Sequence, residues 1–544
     1  MKGLMQDWPL TVDRILDHAK RWHANTQIVT RSVEGDIVRT SYSELHSRAK
    51  RVSNALKVIG IAPGDRIGTL AWNTSRHLEI WYGTMGIGAV CHTLNPRLFA
   101  QQLVYLVNHA EDRVIFVDRD LAPLLERSVE TMPSVRHIVI MTDREGMRGI
   151  TLPRALCYED LLAESSDNCI WGDFDETAAA GLCYTSGTTG NPKGVLYSHR
   201  SNFLHTLTAL NPDILGIDAR DVVMPVVPIF HANGWGIPFA APAVGSKLVM
   251  PGPRLDGTSV HELIESEGVT FAAAVPTVWQ MLLDHLRLTG ATVATLKRVT
   301  IGGSAVPESL VRAFQDEYGV EVRHGWGMTE LSPTGAISSP TAASADLGRE
   351  DALRQQLKQG RPPLGVDLKL VGNRGERLPH DGKTNGRLLV AGPAVAAAYF
   401  NDAPSGLLDS EGFFDTGDVG TIDCEGFLEI TDRAKDVIKS GGEWISSIAI
   451  ENVAMGHPAV KCAAVIGVAH PKWDERPLLL VEPCAGEEIE PQEILDFLAG
   501  KIAKWWMPDE VVLRASIPLG ATGKTDKKLL RDAYRDHVLP TVSG

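Results

Sequence analysis

The first part of the chain alternates between helical and extended hydrophobic patterns. Apolar residues recur at helical spacing over Leu10–His23 and over Tyr42–Ile59, which predicts two amphipathic helices. A third helix, capped by Asn73 or Ser75, is predicted to run to Gly88. Short apolar runs predict buried strands at Arg66–Trp72, Ala89–Thr93, Val114–Asp118 and His137–Met141. Strands that alternate with helices in this way predict parallel βαβ units.

In the middle of the chain, several apolar runs end directly in loops that carry glycine or polar residues. These runs predict strands at Ala178–Cys183, Asp221–Val227, Phe271–Val275 and Arg298–Ile301. Open parallel sheets bind ligands in the loops at the carboxyl ends of their strands. We therefore expect these loops to converge on one ligand.

The last third of the chain changes pattern twice. Short alternating strands with Gly and Pro turns predict a β-rich subdomain over about 364–433. A smaller pattern follows, with strands Lys461–Val468 and Pro477–Glu482 and a helix Pro491–Lys504. The sequence thus predicts an α/β fold: an N-terminal domain over 1–433 with two doubly covered α/β subdomains and the β-rich subdomain, and a small α+β C-terminal domain over 434–544.

Composition excludes several classes of partner. The chain has 544 residues, of which 44% are hydrophobic and 22% charged, as in globular proteins with ample core. Its formal net charge of −14 disfavours nucleic acid or an anionic membrane as the main partner. We expect no signal peptide, because residues Met1 to Arg21 include polar residues throughout and no long apolar block. We expect no membrane span, because no window reaches 18 consecutive apolar residues. The seven scattered cysteines favour reduced thiols and a cytoplasmic location.

The most informative stretch is Tyr184–Gly194, which follows an apolar run. It holds three glycines, four Ser/Thr hydroxyls, one proline and Lys193. Glycine lets backbone approach a ligand closely, while hydroxyls, N–H groups and an ammonium bind anionic oxygens. Such a loop suits a polyphosphate, although its spacing differs from that of the P-loop. The predicted phosphate contacts are Thr185, Ser186, Gly187, Thr188, Thr189, Gly190 and Lys193.

This string resembles the phosphate-binding signature of the adenylate-forming superfamily, which includes acyl-CoA synthetases, luciferases and peptide-synthetase adenylation domains. Two later stretches match the same family's nucleotide loops. By that resemblance, the adenine and phosphate contacts are Gly302, Gly303, Ser304, Ala305, His324, Gly325, Trp326, Gly327, Met328 and Thr329. Many members carry glutamine where His324 stands. Glu330 falls on the magnesium position, and we expect the Thr185 hydroxyl to share the metal.

The resemblance also covers the ribose site, the hinge and the acyl site. Asp418 matches the ribose-binding aspartate, and Arg433 the residue at the ribose-phosphate. The hinge follows at Lys435, and its face predicted to meet coenzyme A contains Lys439, Gly441 and Gly442. His231 corresponds to the histidine beside the acyl carboxylate. Trp235 and Trp444 are the predicted walls or gate of the acyl tunnel.

Near the C-terminus, Lys524 on a Thr-Gly loop matches the family's adenylation lysine. The resemblance implies catalysis by Lys524, Glu330, Thr185 and His231, with ATP, Mg²⁺ and coenzyme A as cofactors. The reaction implied is carboxylate plus ATP giving acyl-AMP and pyrophosphate, followed by acyl-AMP plus coenzyme A giving acyl-CoA and AMP. Phe230–Pro251, Lys439–Ser447 and Asp474–Pro477 look like medium- to long-chain fatty-acyl-CoA synthetases and their short-chain relatives.

Alternatives stay open at this point. The acyl group could pass to an acceptor other than coenzyme A, or the acid could be short, a thioether or an aryl acid. Phosphotransfer would release ADP, and a mere nucleotide-binding module would show no pyrophosphate exchange. A homodimer is implied by resemblance alone.

Overall fold

The computed structural model describes residues 1, 3–185, 191–372, 374–402, 406–441, 443–520 and 524–542. Its strands are Gln27–Arg31 (β1), Ile37–Ser41 (β2), Arg66–Leu70 (β3), Val90–Leu94 (β4), Val114–Val117 (β5), His137–Ile140 (β6), Ala155–Cys157 (β7), Ala179–Tyr184 (β8), Gly194–Ser198 (β9), Val222–Pro225 (β10), Lys247–Met250 (β11), Phe271–Ala274 (β12), Arg298–Gly302 (β13), Glu321–Gly327 (β14), Thr334–Ile337 (β15), Asp367–Val371 (β16), Gly386–Ala391 (β17), Phe414–Ile422 (β18), Leu428–Arg433 (β19), Ile438–Ser440 (β20), Glu443–Ile445 (β21), Val460–His470 (β22), Asp474–Pro483 (β23) and Glu510–Leu513 (β24).

The α-helices are Asp13–Trp22 (α1), Tyr42–Val58 (α2), Ser75–Met85 (α3), Ala100–Ala110 (α4), Pro123–Glu126 (α5), Tyr158–Ala163 (α6), His199–Ala209 (α7), Ile237–Val244 (α8), Gly257–Glu267 (α9), Pro276–Thr289 (α10), Glu308–Arg312 (α11), Arg349–Leu357 (α12), Ser447–Ala454 (α13), Pro491–Leu498 (α14) and Lys527–Ala533 (α15). Among the described residues, no helix combines the length and the apolar composition needed to cross a membrane.

Two sheets form the body of the large N-terminal domain. The first has the strand order β7-β6-β5-β3-β4-β8-β9, and its neighbours are parallel except for the β8–β9 hairpin. β3 pairs in parallel with both β4 and β5, which confirms the βαβ units predicted from the sequence. β5 and β12 are buried at every position, as strands covered on both faces require.

The second sheet has the order β15-β14-β13-β12-β10-β11-β1-β2. Its central strands β12, β13 and β14 are parallel neighbours, with Ile301 opposite His324 and Gly302 opposite Gly325. This register brings the carboxyl end of β13 beside that of β14. The loops after β13 and β14 therefore begin side by side, whereas β8, which precedes the predicted phosphate loop, lies in the other sheet.

Two smaller sheets complete the chain. β16 to β19 form an antiparallel sheet around a core that includes Leu370, Leu388 and Phe414, at the position predicted for the β-rich subdomain. The C-terminal sheet has the order β21-β20-β23-β22, with β24 parallel to β23, and its core includes Val465 and Leu479. The fold is thus α/β, with a large N-terminal and a smaller C-terminal domain. The predicted boundary after Arg433 falls at the end of β19 and stays a prediction.

Some predicted helix boundaries are wrong. α3 is capped by Thr74, whose hydroxyl accepts from the His77 N–H at 3.3 Å, rather than by Asn73 or Ser75. The same helix ends at Met85, before Gly88 takes a positive φ of 73°. α14 ends at Leu498 instead of Lys504, because Gly500 adopts a φ of 77°. In each case the local turn stops a hydrophobic pattern that continues beyond the helix.

Candidate active site

The predicted phosphate loop closes the hairpin between β8 and β9. The Thr185 N–H donates to the Lys193 carbonyl at 2.9 Å, and the Lys193 N–H donates to the Thr185 hydroxyl at 3.4 Å. The Lys193 ammonium lies 4.6 Å from the centre of the Tyr399 ring. The ends of the loop thus carry a hydroxyl and an ammonium, both of which bind phosphate oxygens. The rest of the predicted phosphate site lies outside the described residues, namely Ser186, Gly187, Thr188, Thr189 and Gly190.

The loop after β13 has no room for larger residues. A Cβ added to Gly302 would lie 2.9 Å from the Gly325 carbonyl oxygen and 3.3 Å from the Trp235 ring. Gly303 has a φ of 87°, which L side chains rarely adopt. Ser304 and Ala305 follow without a helix at that point. The backbone of this loop therefore packs directly against the Gly325 carbonyl and the Trp235 ring.

His324 ties this loop to the next segment. Its Nδ1 lies 2.8 Å from the Leu357 carbonyl oxygen, and its ring also contacts the backbone of Ser304. Burial lowers the pKa of His324 to about 4, so the ring is neutral at pH 7. A neutral ring held by backbone groups orients the loop. Its predicted contact with adenine stays a prediction.

Glu330 lies in a short turn after β14 and is buried. Its Oε1 accepts a hydrogen bond from the Tyr399 hydroxyl at 2.7 Å. The turn is held from two further sides, because the Tyr197 hydroxyl donates to the Thr329 carbonyl at 2.7 Å and the Ala396 N–H donates to the Glu330 carbonyl at 2.8 Å. A carboxylate accepts about four hydrogen bonds or metal contacts, so this group keeps capacity for a ligand.

Asp418 on β18 is buried and has two partners. The Trp326 indole N–H donates to Oδ2 at 2.8 Å, and the Arg433 guanidinium pairs with Oδ1 at 2.8 Å. Burial raises the pKa of Asp418, while Arg433 and Trp326 act in the opposite direction. Trp326, a predicted nucleotide contact, is therefore hydrogen-bonded directly to the predicted ribose carboxylate. Met328 packs with Trp326 against the core of the β-rich sheet.

Trp235, a predicted acyl-site residue, lies in a turn with left-handed backbone conformation. Asn233, Gly234 and Trp235 all have a φ of 55° or 56° inside the 3-10 segment Ala232–Gly236. Left-handed backbone is costly for residues with a side chain, and clusters of such residues occur at functional sites. The Asn233 amide donates to the Asn202 side chain at 3.0 Å and holds the turn. It places the Trp235 ring against Gly302.

Lys524 reaches this site from the C-terminal domain. A Cβ on Gly303 would lie 3.7 Å from the Lys524 Cε. Burial, and then the Arg433 charge, lower the pKa of Lys524 to about 8, while Asp418 opposes the shift. Burial and the Lys524 charge likewise lower the pKa of His231 to about 4. The structure thus brings His231, Lys524, Asp418 and Arg433 into one electrostatic environment.

The predicted coenzyme A face lies elsewhere. Lys439 and Trp444 oppose each other in the β20–β21 hairpin of the C-terminal domain, and the Lys439 N–H donates to the Glu475 carboxylate at 2.9 Å. Gly441 has a φ of 61°, and its N–H donates to the Trp473 carbonyl at 2.8 Å. Lys435 is exposed, and Gly442 lies outside the described residues. The described contacts of this hairpin join it to its own domain.

Sequence reasoning missed Tyr399 and Tyr197. Tyr399 follows an alanine-rich segment between two short strands, and Tyr197 sits on a buried strand. Neither position carries a glycine, charge or spacing signal. Only the packing of three separate segments reveals their hydroxyl contacts.

Two family models cover most of the chain. The model described as AMP-binding enzyme matches residues 16–400, and the one described as AMP-binding enzyme C-terminal domain matches residues 449–524. The chain therefore belongs to the AMP-binding enzyme family, the adenylate-forming superfamily to which the sequence motifs pointed.

Individual relatives are similar over their full length. The chain is 48% identical to a 3-methylmercaptopropionyl-CoA ligase of Ruegeria lacuscaerulensis, over 98% of this chain and 99% of the relative. It is 47% identical to a medium-chain-fatty-acid–CoA ligase of Ectopseudomonas oleovorans, over 100% of both. The crystal structure of ATP-bound MatB from Rhodopseudomonas palustris superposes with a TM-score of 0.83 at 26% identity, over 97% of this chain and 99% of that one. These relatives are similar along the whole chain, including its C-terminal domain.

Proposed function

We propose that this protein is an ATP-dependent, AMP-forming acyl-CoA synthetase that acts on a medium- or long-chain fatty acid. The observation that carries the proposal is the position of Lys524. This lysine comes from the small domain, yet it lies beside Gly303 and shares an electrostatic environment with His231, Asp418 and Arg433. A cation brought by one domain to a nucleotide site in another suits a reaction between two anions.

In the first half-reaction, the acid's carboxylate attacks the α-phosphate of ATP. Catalysis then consists mainly of alignment and charge neutralisation. Asp418 would hold the ribose hydroxyls, with its orientation set by Trp326 and Arg433. Lys524 would bridge the carboxylate and the α-phosphate, and neutral His231 would pack beside the acid. No side-chain nucleophile takes part.

The residues also suit Mg²⁺. Magnesium keeps waters and takes one or two carboxylates together with substrate phosphates. Among the described residues there is no cluster of three or more metal-ligating side chains, and the buried Glu330 carboxylate, held by Tyr399, stands at the turn. Glu330 and Thr185 would hold the ion, which would neutralise charge on the pyrophosphate leaving group.

In the second half-reaction, the thiol of coenzyme A attacks the acyl-adenylate and AMP leaves. We propose that the C-terminal domain turns about Lys435, so that Lys524 leaves and the face with Lys439, Gly441 and Gly442 enters. Small residues there leave space for the pantetheine arm. A bulky side chain at Gly442 should slow thioester formation and spare adenylation.

The identity of the acid substrate is the most specific part of the proposal. A fatty acid is favoured by the likeness to the medium-chain ligase. The 48% identity with the 3-methylmercaptopropionyl-CoA ligase supports a short thioether acid as the second candidate. Trp235, packed against Gly302, and Trp444 are the residues we propose to limit the acyl pocket. Screening the rate of CoA-dependent AMP release over acids from two carbons upward, with thioether and aryl acids included, ranks these candidates.

The same assay separates other reaction classes. Acid-dependent AMP and pyrophosphate without acyl-CoA would indicate a different acceptor. Release of ADP would indicate phosphotransfer, and ATP binding without pyrophosphate exchange would leave only a binding module. We further propose a cytoplasmic location. We also propose a homodimer, and light scattering after gel filtration would test it.

A further inference from the structure

Tyr399 connects two groups that the proposed reaction places at the pyrophosphate end of ATP. Its hydroxyl donates to Glu330 Oε1 at 2.7 Å, and its ring centre lies 4.6 Å from the Lys193 ammonium. These contacts use different parts of one side chain. The hydroxyl contact is a charge-assisted hydrogen bond, and the ring contact is a cation–π interaction.

The backbone around Tyr399 is fixed to the same two segments. The Phe400 N–H donates to the Gly194 carbonyl at 2.8 Å, at the end of the phosphate loop. The Ala396 N–H donates to the Glu330 carbonyl at 2.8 Å. Tyr399 also packs against the buried residues Cys183 and Val195 of the β8–β9 hairpin. The Tyr399 side chain therefore has little rotational freedom, and its contacts restrict Glu330 and Lys193 in turn.

We infer that Tyr399 is a positioning residue for adenylation: its hydroxyl orients Glu330 toward the magnesium–pyrophosphate end of ATP, and its ring holds the Lys193 ammonium by a cation–π contact. The inference rests on the proposed function, which assigns Glu330 to that end of the nucleotide, and on the prediction that Lys193 contacts phosphate. A glutamate freed from its donor would adopt other rotamers, and fewer of them would meet the metal. The hydroxyl should therefore affect nucleotide binding mainly when magnesium is present.

The test measures ATP binding by isothermal titration calorimetry with magnesium and with EDTA. The ratio of the two dissociation constants gives the magnesium-dependent gain in affinity. Tyr399→Phe keeps the ring and removes the hydroxyl, so this gain should shrink about tenfold, while affinity in EDTA stays within about twofold of wild type. Tyr399→Leu removes both contacts and should also weaken binding in EDTA.

Matched variants separate positioning from packing. Tyr534→Phe removes a hydroxyl that accepts from Arg514 at 3.1 Å in the C-terminal domain, and should change neither constant. Glu330→Gln alone should reduce the gain as much as Tyr399→Phe, and the double variant should lose no more than either. Unfolding midpoints show whether each variant is folded, and Glu330→Gln gives the answer if Tyr399→Phe is unstable.

Three results would overturn the inference. They are an equal loss of affinity in magnesium and EDTA for Tyr399→Phe, an unchanged gain in Tyr399→Phe or Glu330→Gln, and additive losses in the double variant. A wild-type enzyme that forms no acyl-CoA would instead overturn the proposed function. If the wild type forms acyl-CoA and the Tyr399→Phe variant keeps the full magnesium-dependent gain in affinity, only the positioning role of Tyr399 is overturned.

Discussion

Two lysines three residues apart in the C-terminal domain lie in opposite environments. Lys527 on α15 donates to the Ser447 hydroxyl at 2.6 Å and pairs with Glu451 at 2.8 Å. Burial alone would lower its pKa, but the charges of Glu451 and Asp432 outweigh burial and raise it. Within the described part of the chain, no carboxylate lies at ion-pair distance from Lys524, and burial lowers its pKa to about 8.

The difference separates a lysine held in an ion-pair network from one that has no carboxylate at ion-pair distance among the described residues. Lys527 completes a network in which Asp432 accepts from the Ser447 N–H and hydroxyl, both at 2.6 Å. Such a network links the end of β19 to α13 and leaves no unpaired cation for an anionic ligand. In the part of the chain that the structure describes, Lys524 has no carboxylate at ion-pair distance, and Asp418 offsets its charge only in part. Ionisable groups with such strongly shifted pKa values cluster at functional sites.

The largest expected effect is on stability at Lys527. Lys527→Met should lower the free energy of unfolding by about 3–5 kcal/mol, because it leaves Glu451 and Asp432 buried without their cation. Urea unfolding followed by circular dichroism measures this. Lys524→Met is the matched control and should cause no loss at pH 7, because Lys524 has a lowered pKa and its charged form costs stability. Equal losses in the two variants would show that the two lysines have the same role.

The next effect is on chemistry at Lys524. A unit charge about 4 Å from the reacting groups is worth roughly 4 kcal/mol at an effective dielectric near 20. Lys524→Ala should therefore slow acid-dependent ATP–pyrophosphate exchange by about 10²–10³-fold. The variant should still convert supplied acyl-AMP into acyl-CoA. An equal loss of rate in both half-reactions would contradict the proposed rotation of the C-terminal domain between the two steps.

The smallest effect is the pH dependence of adenylation. Because the pKa of Lys524 is lowered to about 8, its ammonium is lost as pH rises through that value rather than near 10. The kcat/KM of adenylation, which reports on the free enzyme, should fall by up to about tenfold per pH unit above 8. Lys524→Arg stays charged, so its profile should be flat there, at whatever rate it retains. A wild-type profile that stays flat to pH 10 would show that Lys524 charge is not required.

The sequence predicted the elements better than the contacts between them. The parallel strand–helix units, the β-rich sheet and the small C-terminal domain follow from periodicity that each segment carries locally. Local turns near Gly88 and Gly500 moved helix ends by a few residues, because a hydrophobic pattern does not record where the backbone leaves helical angles. The left-handed turn at Asn233–Trp235 had no signal beyond its glycines.

The candidate site residues likewise fall into two groups: those predicted from the sequence and those recognised only in the structure. Glycine, hydroxyl and charge spacing in Tyr184–Gly194 and around Glu330 predicts nucleotide loops from the sequence alone, and these remain predictions. Tyr399 has no such mark. Its contacts are made with segments that are distant in sequence. A tyrosine in an alanine-rich stretch has the same sequence pattern whether its hydroxyl contacts water or a buried carboxylate.

The amino-acid sequence by itself determined the family and the order of the elements and predicted the loops that carry chemistry, because these depend on local composition and spacing. Tertiary structure alone decided the environment of each charge. Among the described residues, Lys524 has no carboxylate at ion-pair distance, whereas Lys527 pairs with Glu451 and lies in the field of Asp432, and Asp418 shares its oxygens between Trp326 and Arg433. The physical reason is that desolvation and Coulomb interactions act between side chains far apart in the chain.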